Sequence, residues 1–482
     1  MNSKLAPIIR NKRRILERTS RSPSQNNVAG KILVISSVAP HRLGGIQNLY
    51  ALLSVLKPHQ YSILTTYESI RRDPAREPLP GEYFYCDRKR AQPLSLIIPP
   101  PATEATVRSS RPGSRFNIRA EHARFVGYCR RLFRFATPRY RAVRSVVRFF
   151  ATIGRMVLWG HLIVQRGNIR GVVGISDTGP ALISTYLLSK LCRLPYVIYM
   201  FDLYFGNNLG IIENCLARTL EPRILRRAAA VFLTNEAITK YYRLRYGHTI
   251  KPLLLHNSIF PAQYERLRTP PETVRPHRIV FTGTVYWAQE QSMLNMIHAM
   301  DELRDAEIIL DLYIPNLPQS ISKHIANRNN IRMSAAPVSE MPRIQCGASI
   351  LYLPLSWNTP SPDIIATATP GKLSDYLASG RPILIHAPPY AWVSHYAKQE
   401  GFGLVVDEEN IQKLRDGVLK LLTDKRLILR LARNATRTFY KNHDATKTAP
   451  MFVQMLDSAF GTRLAQHDSV LDPLANKEVL AN

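Results

Sequence analysis

The first third of this 482-residue sequence is nearly without acid. Residues 1–170 hold 8 acidic side chains against 31 basic ones, and 108–170 contain 15 arginines, no lysine and one acid, Glu121. That third therefore carries net +23 of the formal +30, and the remainder is close to balance. Cysteine is also scarce. Cys86, Cys129, Cys192, Cys215 and Cys346 are odd in number, widely spaced and form no CxxC pair. A zinc ribbon or disulfide framework is therefore not expected, and a reducing compartment fits. No run of 18 uncharged apolar residues occurs, so no ordinary transmembrane helix is expected. The basic stretch 1–31 lacks the apolar segment of a secretory signal and reads as a flexible arm. No repeat of solenoid period is present.

What is there suffices for sizeable cores. Hydrophobic residues make up 45% of the chain and charged residues 21%, which excludes wholesale disorder. The length suggests about two to four domains. KILVISSV (31–38) reads as a strand, a turn containing Gly44-Gly45 follows, and IQNLYALLSVL (46–56) has helical spacing. After a loop-rich stretch at about 71–119, strand candidates alternate with helices: 171–176, 196–201, 229–234 and 251–256. Residues 260–277 contain four prolines and no apolar periodicity, the mark of a linker. A second alternating unit has strands at 278–283, 307–314, 331–334, 348–354, 382–386 and 403–406. Helices are expected at 426–440 and 444–460. Two doubly wound α/β units would bind ligand outside the carboxyl ends of their strands, in the cleft between them.

The most informative string is TATPGKLSDYLASGRPIL (367–384). A turn at Pro370-Gly371 opens a helix, Gly380 ends it, and a strand follows Pro382. A helix start offers unpaired N–H groups and partial positive charge, to which Lys372 adds a full charge, a seat for diphosphate. Asp375 stands where a carboxylate could accept from both ribose hydroxyls. The competing reading is an i,i+3 surface ion pair between Lys372 and Asp375. A phosphate loop is excluded, because GxxxxGK[ST] needs Gly at Ala366 and Ser or Thr at Leu373. Gly44-Gly45 is not a GxGxxG fingerprint, so no dinucleotide is indicated; its small residues would let backbone approach a ligand.

Segment 367–384 resembles the Pro-x-Lys…(Glu/Asp)-Tyr…Gly-x-Pro block of GT-B glycosyltransferases of the family-4 (group 1) type. The resemblance extends in order over Gly44-Gly45, AspLeuTyr 202–204, HisAsnSer 256–258, PheThrGlyThrValTyr 281–286 and the last helix after His443-Asp444. It implies two Rossmann-like domains facing a cleft. An arm (1–30) would precede an acceptor domain (31–260) with the arginine-rich insert (108–170), and a linker (261–277) would lead to a donor domain (278–440). A helix at 441–462 would cross back to the first domain, before a polar tail (463–482). The implied activity is transfer, with retention, of a sugar from a UDP-sugar or GDP-sugar to a lipid-linked or glycan acceptor. No cofactor or metal is implied. Carried over by position, Gly44, Gly45, Asp202 and Lys372 are the catalytic set. Gly283, Thr284, Thr369, Gly371, Lys372, Leu373 and Asp375 hold the donor nucleotide, and Asn257 is a hinge. Two departures stand out. Thr367 replaces the first Glu of the family's Glu-x7-Glu motif, leaving sugar contacts to Thr367, Thr369 or local backbone. No basic residue follows Gly283 until Arg304, where the family has an Arg…Lys pair. These departures motivate a rival reading as a catalytically degenerate binding or scaffold protein. A sugar-nucleotide epimerase on the same fold would have no use for the arginine insert.

Within 138–159, Arg141, Arg144, Arg148 and Arg155 fall on one side of a helical wheel. Val143, Val146, Val147, Phe150, Ile153 and Val157 fall on the other. A basic amphipathic helix of this kind suits an anionic membrane surface, which points to a cytoplasmic protein, peripheral at the inner membrane face. Nucleic acid is the other polyanion, but no helix-turn-helix, zinc-finger or RNP-like pattern accompanies the charge.

Overall fold

The computed structural model describes residues 30–40, 46–66, 78–87, 138–176, 179–207, 209–271, 276–304, 307–315, 318–325, 328–462 and 464, with side chains in the first long helix from Arg144 onward. Gly44, Gly45 and the Arg141 side chain therefore lie outside the described residues, as do the arm at 1–29 and nearly all of the tail.

The first unit runs β1 (Lys31–Ile35), α1 (Gln47–Leu53), β2 (Tyr61–Thr65) and β3 (Glu82–Tyr85). Then come α2 (Pro138–Arg166), β4 (Ile169–Ile175), α3 (Pro180–Cys192) and β5 (Tyr196–Met200). It closes with α4 (Ile211–Arg227), β6 (Ala230–Leu233), α5 (Glu236–Tyr246) and β7 (Pro252–Leu254). All seven strands are parallel, in the order β3-β2-β1-β4-β5-β6-β7. Strands covered on both faces read as continuous apolar runs, which is why KILVI and YVIYM were legible.

A short helix, α6 (Ala262–Leu267), stands in the proline-rich connection where the sequence suggested only linker. The second unit opens with β8 (His277–Thr282), α7 (Glu290–Ala299), β9 (Ile308–Tyr313), α8 (Gln319–Ile325) and β10 (Ile331–Ser334). It continues with α9 (Met341–Cys346), β11 (Ile350–Pro354), α10 (Pro362–Thr367), α11 (Leu373–Ser379) and β12 (Ile383–His386). The last elements are α12 (Trp392–Glu400), β13 (Gly403–Val406), α13 (Ile411–Thr423), α14 (Lys425–Thr438) and α15 (Ala445–Phe460). Its sheet is parallel too, ordered β10-β9-β8-β11-β12-β13. Strand order reverses direction beside β1 in one sheet and β8 in the other, the positions where such sheets open a crevice.

The chain crosses between units twice, and the crossings are tied. Ile259 N–H donates to His443 O (3.1 Å) and Ala445 N–H to Ile259 O (3.0 Å). Asn257 is held from three sides. Asn48 of α1 donates to its side-chain oxygen (2.9 Å), and its carbonyl accepts from Ser374 Oγ (2.7 Å) and lies 2.6 Å from His443 Nδ1. That bracing suits a hinge. After the second crossing, α15 drives Phe452, Val453 and Leu456, all fully buried, into the core of the first sheet. Gly171 of β4 is required there, because a Cβ would stand 2.4 Å from the Phe460 ring. Phe452 packs on Phe232 at 5.0 Å between ring centroids. Phe452→Ala is expected to lower stability by about 3–5 kcal/mol through the cavity it leaves, measurable by urea denaturation.

Helix α2 corrects two expectations. Its stretch Arg144–Arg166 is long and apolar enough to cross a membrane by length and composition, although the sequence suggested no such helix. It also does not divide into one apolar and one basic side. Phe149, Ile153, Met156 and Ile163 are buried in the first core and Val157 is partly so, whereas Val147 and Phe150 are exposed beside Arg144, Arg148 and Arg155. A helix covering a sheet must bury a stripe there, and the stripe at 149, 153, 156 and 163 wins over the one read from the wheel.

Candidate active site

A cleft of about 970 Å³ opens between the carboxyl ends of the two sheets. Of the residues singled out from sequence, Asp202, Gly283, Thr284, Thr369, Gly371, Lys372 and Asp375 line it. Leu373 does not. Its side chain is fully buried and its N–H donates to Pro370 O (2.9 Å), closing the turn that launches α11.

Lys372 and Asp375 do not form the alternative surface pair. The Lys372 ammonium sits 3.8 Å from the centroid of the Phe281 ring, a cation–π contact. The Asp375 carboxylate instead accepts from the Tyr264 hydroxyl at 2.9 Å and from Gln47. Each side chain keeps a face toward the cleft, but the enclosing walls strip much of its water. Burial lowers the Lys372 ammonium to about 7. Burial likewise raises the Asp375 carboxyl to about 6, against the opposing effect of its hydrogen bonds from Tyr264 and Gln47. Both groups therefore titrate near neutrality. Lys372 is the only lysine or arginine among the described residues that line the cleft.

Gly283 follows β8 with φ +110°, a backbone region that side chains rarely adopt. A Cβ there would meet Lys372 Cε at 3.4 Å, so the glycine leaves the lane in which the lysine lies. Gly283 is expected to hold the donor nucleotide, but its N–H donates to Tyr313 O at 3.0 Å and is occupied. Thr369 faces the cleft but also joins the units: Asn235 donates to its hydroxyl (2.6 Å) and to Thr367 O (2.7 Å). Thr367 is buried outside the cleft lining, with its hydroxyl bonded to Asp363 O (2.7 Å) in its own helix.

Asp202 follows β5 with an exposed carboxylate that takes no hydrogen bond among the described residues. Crowding by protein raises its pKa, so the ionised form is a better proton acceptor than a free aspartate. Its loop is held by Glu221, which is fully buried. That carboxylate accepts from Phe205 N–H (3.2 Å), Tyr242 OH (2.9 Å) and Tyr246 OH (2.6 Å).

Sequence reasoning missed the supports. Tyr264 on α6 donates to Gln345 (2.6 Å) and Asp375, and Gln345 donates to Thr282 (3.0 Å). These partners lie between 63 and 111 residues apart in the chain, beyond any local motif. Among the described residues, no group of three or more His, Cys, Asp or Glu is placed to hold a metal ion.

No protein-family model matches the sequence, and no curated protein matches it. Solved structures do resemble it in shape. HepE of Anabaena, solved with UDP-glucose, superposes with TM-score 0.58 at 12% identity over 89% of this chain and 99% of that one. Sucrose-phosphate synthase of Thermosynechococcus elongatus gives 0.60 at 13%, covering 90% and 99%. A glycosyltransferase of Rickettsia africae gives 0.54 at 13%, covering 89% and 98%. Likeness at this identity speaks to architecture, and by it the chain has the GT-B fold.

Proposed function

We propose that the protein is a glycosyltransferase that moves a sugar from a nucleoside diphosphate sugar to a saccharide-bearing or lipid-linked acceptor at an anionic membrane surface. The observation that carries the first half is the placement, on the opening turn of α11, of an ammonium with no ion pair among the described residues and a carboxylate, both facing the cleft of a GT-B fold. Two of the structures similar to this chain were solved with UDP or UDP-glucose. In this reading Asp375 accepts from the ribose hydroxyls, and Lys372 with the amides near Gly371 meets the diphosphate. As the acceptor oxygen bonds to the anomeric carbon, the bond to the diphosphate breaks and its electron pair leaves on the phosphate oxygen. Lys372 stabilises that charge in a partly dry site, where a fixed cation acts most strongly. The acceptor proton passes to the Asp202 carboxylate. The resemblance implies family-4 type and retention, which the anomeric coupling constant of the product in proton NMR checks. A nucleoside diphosphate screen followed by donor turnover in excess EDTA tests the whole reading. Release of nucleoside diphosphate is the expected result, and its absence with every donor favours the degenerate binding protein.

The second half rests on the outer face of the first sheet. Neither α2 nor α3 contains an acid. On α2, Val147 (62% exposed) and Leu158 (58%) stand among Arg144, Arg148 and Arg155; α3 adds exposed Leu187 and Leu191, and α4 begins with Ile211 at 85%. Apolar side chains set among cations enter the interfacial zone while the charges meet lipid phosphate. At about 1 kcal/mol per arginine, replacing Arg144, Arg148 and Arg155 by glutamine is expected to weaken binding to phosphatidylserine vesicles by roughly 100-fold. Cosedimentation measures it; equal binding by the variant, or equal affinity for DNA at matched salt, would count against a membrane face.

A further inference from the structure

Beyond Gly283 the cleft wall changes character. Val285 is buried and turns the next residue outward, so that the Tyr286 ring lines the cleft with 45% of its surface exposed. Trp287 stands edge-on to it, 5.9 Å between centroids at 86°. Trp287 itself packs against the cores of both sheets, so the exposed ring rests on a support that both domains hold. The same cleft is lined from the first domain by the carboxylate of Asp202, which takes no hydrogen bond among the described residues. The two are near enough that the charge of Asp202 adds to burial in pushing the Tyr286 hydroxyl up to about 12. Three residues of chain span at most about 10 Å, so Tyr286 lies within that reach of Gly283, and Asp202 lines the same cleft.

A rigid aromatic face with a carboxylate beside it suits one kind of ligand. The C–H face of a pyranose carries partial positive charge and packs on the negative face of an aromatic ring. A ring hydroxyl donates a charge-assisted hydrogen bond to the carboxylate. A lipid chain would use the ring but leave the carboxylate dehydrated and unpaired, which is costly. A base attached to the ribose would lie on the far side of Asp375 from the diphosphate.

We propose that Tyr286 and Asp202 form an acceptor subsite for the terminal sugar ring of a saccharide, with the ring stacked on Tyr286 and the hydroxyl to be glycosylated held by Asp202. This rests on the transferase reading of the same cleft. It narrows the acceptor from any membrane-borne hydroxyl to a sugar, including a sugar carried on a lipid.

The test uses the full chain, with the α- and β-methyl glycosides of glucose, galactose and N-acetylglucosamine as acceptor probes and UDP-glucose as the donor probe. Saturation-transfer NMR reads their binding with and without UDP, and a thermal shift reads UDP binding separately. At least one glycoside is expected to receive saturation, strongest at ring protons. Tyr286→Leu should weaken it about tenfold or more, Tyr286→Trp should keep it, and the UDP shift should be unchanged in both. Asp202→Asn should weaken it severalfold. Undiminished glycoside binding in Tyr286→Leu overturns the proposal. So does binding of no glycoside by the wild type, or a Tyr286-dependent signal confined to the glucose of UDP-glucose, which would give the ring to the donor. Glycoside binding without any UDP shift would instead leave the subsite standing and remove the transferase reading.

Discussion

Lys372→Ala is expected to lower kcat/KM with the nucleoside diphosphate sugar by about 100- to 1,000-fold, the scale seen when one preorganised charge stabiliser is removed. The size follows from isolation. No other lysine or arginine among the described residues lines the cleft, so no neighbour shares the load. Folding should survive, because Lys372 forms no ion pair among the described residues and its main contact is the Phe281 ring. Arginine should rescue poorly, since a broad planar guanidinium would replace a compact ammonium seated 3.8 Å from the Phe281 ring centroid. The pH dependence has a defined sign. In the empty cleft Lys372 loses its proton as pH rises through about 7, so diphosphate affinity should fall above that value, with proton uptake on binding. Calorimetry in buffers of different ionisation enthalpy measures the uptake; full turnover by Lys372→Ala would assign the lysine a structural role.

Asp375→Ala is expected to weaken UDP or GDP binding by about 10- to 100-fold, the value of hydrogen bonds to a partly buried charge. The substitution should leave the local structure standing, because Tyr264 retains its bond to Gln345. Here the pH sign is opposite. The carboxyl, raised to about 6, accepts from both ribose hydroxyls through two charged oxygens when ionised and more weakly when protonated, so affinity should rise as pH increases through 6. With Lys372 this gives a bell with its maximum between about 6 and 7. A binding isotherm at three pH values checks it, and undiminished protection of the variant by nucleotide would remove the ribose assignment.

Local signals carried the sequence reading as far as they could. Both sheets were visible because buried parallel strands are continuous apolar runs, and α15 because its periodicity is helical. The β3 strand, EYFY, was missed as four residues at a sheet edge with two positions only partly buried. The α6 helix hid among prolines. Pro370-Gly371-Lys372 stood out because turn, charge and helix start are contiguous. What surrounds them did not, since Tyr264, Gln345 and Phe281 reach them only through the tertiary fold. The wheel of α2 had more than one apolar stripe, and only the sheet beneath decides which is buried.

The most direct measurement of the central claim is the thermal unfolding of wild type, Lys372→Ala and Asp375→Ala with UDP and with GDP at pH 6.5. At 100-fold excess over Kd a ligand adds about 2.7 kcal/mol, a rise of a few degrees in a chain of this size. The expected result is that rise for wild type with at least one nucleotide, cut to about half or less in each variant. A wild type indifferent to both nucleotides, or variants protected as well as wild type, would contradict it.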